Sequence, residues 1–116
     1  MSIRRLVQKT TVTVDEGETT QSFVLEYYTL EREAMIDDVS VNTFGIEVLK
    51  RSHPSAKSLR VEYRKIFDIF CTEAEAREAA FILAANTVTP VSVCDIVEQF
   101  IGTDEIACEE YEVIAV

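Results

Sequence analysis

Up to Phe70 the apolar residues of this chain tend to recur at every second position; from Thr72 onward they recur at every third and fourth. A strand sends successive side chains to opposite faces, whereas a helix returns to one face after three or four residues, so the switch separates an extended first part from a helical second part. The clearest alternation sets Leu59, Val61, Tyr63, Phe67 and Ile69 against Arg60, Glu62, Arg64 and Asp68, with Lys65 and Ile66 out of phase. It predicts a half-buried strand antiparallel to its neighbour.

Three further strands precede it. Val12 and Val14 alternate with Thr11 and Thr13 in a first strand over Ile3 to Val14, and the run Asp15, Glu16, Gly17, Glu18 closes a hairpin. A second strand runs from about Thr20 to Glu33. Phe23, Leu25 and Tyr27 share one of its faces, while Val24, Tyr28 and Leu30 make the other apolar as well, as an interior strand requires. The polar stretch Ala34 to Ser40 reads as a loop. Val41 to Lys50 forms the third strand, with Phe44, Ile46 and Val48 on one face and Glu47 on the other, and His53 to Ala56 turns the chain back.

In the second part, Thr72 and Glu75 have the spacing of a capping box, in which hydroxyl and carboxylate satisfy orphan amides at a helix start. A helix from Glu73 to about Asn86 follows, with a narrow stripe of Ala76, Ala79, Ala80, Leu83 and Ala84 suited to close packing on a sheet. Asn86 to Pro90 ends it. Ser92 with Asp95, and Val91 stapled to Ile96, predict a second helix from Val93 to Gly102 that buries Val93, Ile96, Val97 and Phe100. The acidic stretch 103–116 is open to two readings, a disordered end or an extra strand through Tyr111 to Val116, on its own sheet or a partner's.

A chain of 116 residues supports one core, burying roughly two-thirds of its unfolded surface, and residues 1–102 are read as one domain. The net charge of -10 repels polyphosphate and anionic lipid, which argues against nucleic acid as a partner. Two basic clusters, Arg4, Arg5 and Lys9, and Lys50, Arg51, His53 and Lys57, read as solvated strand ends. No run reaches the ~20 apolar residues of a membrane span, so no membrane partner is expected and the location expected is cytoplasmic. Cys71, Cys94 and Cys108 are widely spaced, with no pairing pattern, and read as reduced thiols.

The residues Phe44, Gly45, Ile46 and Glu47, and above all Ala85, Asn86, Thr87, Val88, Thr89, Pro90 and Val91 with Asp95, Ile96, Val97 and Glu98 behind them, resemble a family of small uncharacterised clostridial proteins of unknown function. The likeness covers Phe23 to Phe100. It implies a bacterial, cytosolic protein built as a strand meander with a helical tail, and imports no activity or site.

The residues themselves show no catalytic, cofactor-binding or metal-binding set. His53 lies beside Pro54 in a turn, without a nucleophile in its pattern. Cys94, near a helix start, is a candidate reactive thiol, against the plainer reading of a small core residue. Asp37 with Asp38 and Glu109 with Glu110 are acidic pairs without the spacing of a calcium loop.

The expected fold is therefore α+β: a four-stranded antiparallel meander followed by two C-terminal helices packed on one face. The other face carries Val24, Tyr28 and Leu30, the candidate interaction surface, for a homodimer or a protein partner. The expected function is a non-catalytic interaction or homo-oligomeric module; the alternative is a small enzyme or ligand-binding protein using acidic residues or a reactive cysteine.

Overall fold

The computed structural model describes residues 2–17, 19–53, 59–101 and 110–115. The elements run β1 (Ser2–Glu16), β2 (Thr19–Ile36), β3 (Val39–Ser52), β4 (Arg60–Phe70), α1 (Glu73–Ala85), α2 (Val93–Ile101) and β5 (Glu110–Ala115). The strands form one antiparallel sheet in the order β1-β2-β3-β4-β5. The expected meander of four strands followed by two helices is present, and the fold is α+β. Of the readings open for the acidic tail, a strand on the chain's own sheet is the one seen, with Arg60 opposite Ala115 and Lys65 opposite Glu110.

Strands β2 and β3 are longer than the alternation predicts, because Ala34 to Ser40 is no loop. Only Asp37 and Asp38 turn the chain, at φ values of 50° and 63°. Two consecutive residues at positive φ match the right-handed twist of a hairpin, and Asp tolerates that region better than most side chains. The hairpin at Gly17, φ 67°, is closed as expected.

The core lies between the sheet and the helices. Leu25 and Tyr27 of β2, Ile46 and Val48 of β3 and Ile66 of β4 meet Ala80, Leu83 and Ala84 of α1 and Val93 and Val97 of α2. All five residues of the predicted α1 stripe are buried. The helix begins as predicted, with Thr72 Oγ1 accepting from the Glu75 amide at 3.2 Å. At its other end the Thr87 amide donates to the Ala84 carbonyl at 3.1 Å and the Val88 amide to the Leu83 carbonyl at 3.0 Å. This is a Schellman closure, with Thr87 rather than glycine at positive φ, 48°. Pro90 is fully buried, while Val91, expected to staple against Ile96, is exposed.

β4 departs most from its sequence pattern. The pairs Ile46 with Ile66, and Phe44 with Phe70, leave Phe67, Asp68 and Ile69 opposite the single residue Gly45. Asp68 takes φ 59° within this bulge. The out-of-phase Ile66 is thus the core residue of β4, and the apolar positions Val61 and Tyr63 lie on the face away from the helices. Gly45 makes the bulge feasible: a Cβ there would stand 2.0 Å from the Ile66 carbonyl oxygen.

Candidate functional site

Among the described residues no helix covers the second face of the sheet, yet much of it is dry. Val24, Tyr28 and Leu30 lie on this face, as their alternation requires, at 4%, 8% and 2% exposure. Two carboxylates, Glu26 and Glu47, are buried beside them. The cover comes from long cationic side chains laid flat, which shield apolar surface with their stems while their heads find carboxylates.

Arg4 of β1 stacks over the Tyr28 ring, 3.6 Å from its centroid, and reaches β3, where its Nε and Nη2 donate to Glu47 Oε1 and Oε2 at 2.7 and 3.3 Å. Tyr28 donates its hydroxyl to Glu26 Oε1. Arg51 Nε lies 2.6 Å from Glu26 Oε2, an ion pair in which the N–H is not aimed at the oxygen. Farther along, Arg32 stacks over Phe67 and pairs with Asp68, which also accepts from Thr43. These bonds to Arg32 and Thr43 outweigh burial and hold the Asp68 carboxyl below its ordinary range. Tyr28 moves the other way. Burial first, and the bond to Glu26 second, push its phenol up to about 12, so it stays protonated and serves as a donor.

The two basic clusters dissolve into this geometry. Arg4 points to the second face, while Arg5 points to the helix side and donates to Glu31 at 2.8 Å. Lys50 and Arg51 divide in the same way. Alternation along a strand gives that split, but the carboxylates each cation reaches come from strands distant in sequence, and no local spacing announces them.

A cleft of about 320 Å³ opens on the helix side, at the end of the sheet beyond the helices. Val14, Phe23, Lys50, Ser52, Arg60 and Glu62 line it. Lys50 Nζ sits 4.4 Å from the Phe23 ring centroid, Arg60 Nη2 lies 4.0 Å from Glu62 Oε2, and the Arg60 amide donates to Ser52 Oγ at 3.0 Å. Of its cations, Arg60 is thus partly matched by the cleft's own buried carboxylate.

The other sequence candidates separate. Cys94 is disulfide-bonded, which corrects its reading as a reduced, reactive thiol. Its sulfur, 3.7 Å from Glu98 Oε1, carries no proton to donate there. Cys71 is free and exposed, and Cys108 lies outside the described residues. His53 follows the end of β3, half-buried. Asp37 and Asp38 form the β2–β3 turn, Glu109 is outside the described residues, and Glu110 opens β5. No three His, Cys, Asp or Glu side chains come together among the described residues, and no described helix is long and apolar enough to cross a membrane.

A third feature is an edge. Among the described residues β1 pairs on one side only, with β2. It carries Ile3, Leu6 and Val14 at 46%, 52% and 40% exposure. On the outside of α1, Phe81 and Ile82 are also exposed, with Arg77 stacked on Phe81.

Comparison with known proteins gives one match. The model of a family of unknown function, DUF6514, matches residues 6–103, which spans both stretches that carry the resemblance. No curated protein and no solved structure matches the chain.

Proposed function

The chain belongs to DUF6514, a family of unknown function, and we propose from its own geometry that it is a non-catalytic interaction module that works by assembly. The observation that carries this reading is β1: an edge strand of fifteen residues with three exposed large apolar side chains. The unpaired amides and carbonyls of such an edge are a template for another strand, and apolar side chains along it favour coverage. On the second face a partner would meet the guanidinium cover of Arg4, Arg32 and Arg51, with Val24, Tyr28 and Leu30 beneath it.

A bacterial, cytoplasmic setting belongs to the same reading. The resemblance to clostridial proteins supports it, and the disulfide at Cys94 weighs against it, because thiols are kept reduced in that compartment.

The ligand-binding alternative draws on the cleft between Lys50, Arg60 and Glu62. Native mass spectrometry of untagged protein separates the two readings. Added mass made up of whole polypeptide chains supports assembly. A monomer that retains a metabolite or metal overturns it.

A further inference from the structure

Resting on the assembly reading, we propose that the β2–β3 turn of one copy seats in the Lys50 and Arg60 cleft of the next, a head-to-tail contact separate from the β1 edge. Among the described residues β1 follows β2 only as far as Arg32, and β4 follows β3 only to Phe44. Glu33 to Asn42 therefore leave the sheet as a two-stranded arm, a unit with little stability of its own in water. Its end exposes three large apolar side chains, Met35, Ile36 and Val39, at 66%, 54% and 58%. Asp37 and Asp38 form the tip between them, and neither carboxylate has a hydrogen bond or ion pair among the described residues.

The cleft has the complementary make-up. Lys50 holds its ammonium over the Phe23 ring and makes no ion pair among the described residues, while Arg60 reaches Glu62 only at 4.0 Å. Cations outnumber carboxylates among the lining side chains, Val14 and Phe23 supply an apolar wall, and the Ser52 hydroxyl, which accepts from the Arg60 amide, keeps its proton to donate. Two uncommitted carboxylates set between Ile36 and Val39 thus match two available cations set beside Val14 and Phe23. That match of charge and apolar surface names this chain's own tip as the occupant.

Tip and cleft cannot meet within one chain, because Phe23 and Asp37 lie at opposite ends of β2, about 45 Å apart at the rise of a strand. Nor can two copies make both contacts by lying antiparallel. The cleft opens on the helix side, so the helices of both copies, each about 10 Å thick, would stand between the two sheets and hold each tip away from the other's cleft. The contact is therefore heterologous, and a heterologous contact that does not close repeats from copy to copy.

The test is sedimentation velocity of the full chain over a range of concentrations, with two double variants. Asp37→Asn with Asp38→Asn removes the tip charges and keeps residues that tolerate positive φ; Lys50→Gln with Arg60→Gln removes the cleft charges. The wild type should grow past a dimer as concentration rises. Each double variant alone should weaken that growth by about tenfold, with unchanged circular dichroism, and raised salt should act the same way. Mixed in equal amounts, the two variants should form a one-to-one pair, since one keeps its tip and the other its cleft. A wild type that stays monomeric, or that stops at a dimer, overturns this inference, while the broader reading falls only to a retained small ligand. Growth that neither double variant weakens also overturns it, and places the contact elsewhere.

Discussion

Arg4 crosses the full width of β2 to grip Glu47 of β3 with two nitrogens, at 2.7 and 3.3 Å. One side chain thereby ties three strands together and roofs the Tyr28 ring on the way. The face without helices is closed by this arrangement, with buried carboxylates as its anchors.

Removing the cation should be costly because the carboxylate stays behind. Arg4→Ala is expected to lower stability by about 1–3 kcal/mol, less than for a fully buried pair because Arg4 is partly in water. Urea unfolding of the double-mutant cycle checks the cause. Glu47→Gln should destabilise the wild type, yet be neutral or stabilising once Arg4 is gone. Equal cost in both backgrounds would detach Glu47 from Arg4.

Tyr27 and Tyr28 both have phenols pushed up to about 12 from 10.0. Burial is the cause at Tyr27, whose hydroxyl donates to the Val88 carbonyl at 2.9 Å. Between pH 10 and 12 the folded chain keeps protons that the unfolded chain has lost, so stability is full below 10 and falls as pH rises through this window. Chemical denaturation at several pH values should show that decline, and Tyr27→Phe should make it shallower. The same variant should cost about 1 kcal/mol near neutrality, where it strands the Val88 carbonyl.

Gly45 is fixed by the bulge of β4. Gly45→Ala puts a methyl group 2.0 Å from the Ile66 carbonyl oxygen, against backbone that cannot swing aside. A loss of about 2–3 kcal/mol is expected, toward the upper end for overpacking, with amide shift changes centred on Ile66 to Phe70.

The Asp37-Asp38 turn offers the opposite sign. Asp38 sits at φ 63°, and Asp-Gly is a favoured sequence for a turn with two positive φ values. Asp38→Gly should raise stability by about 0.5–1 kcal/mol in thermal melts.

Periodicity made the four strands, both helices and the α1 stripe readable, because each pattern reports one buried face. Three features escaped it for definable reasons. The Asp37-Asp38 hairpin looks like a loop since neither residue is glycine. On β4 the alternation shows which residues share a face but not which face meets the core, and Ile66, the residue out of phase, is the one fully buried while Val61 and Tyr63 lie on the second face. Arg4 with Glu47 and Arg51 with Glu26 join strands distant in sequence, and a single sequence holds no record of such pairs. The Asn-Thr-Val-Thr-Pro run that carries the family resemblance turns out to be a clasp: Thr87 closes α1, Val88 holds Tyr27, and Pro90 is fully buried. Its distinctiveness has a structural reason, which explains why it named no activity.

Hydrogen exchange along Ser2–Glu16, at high protein concentration and after dilution, tests the central claim most directly. If β1 is the assembly edge, its outward amides are protected in concentrated protein and exchange quickly once diluted, while those bonded to β2 change little. Rapid exchange of the outward amides at every concentration would contradict the account.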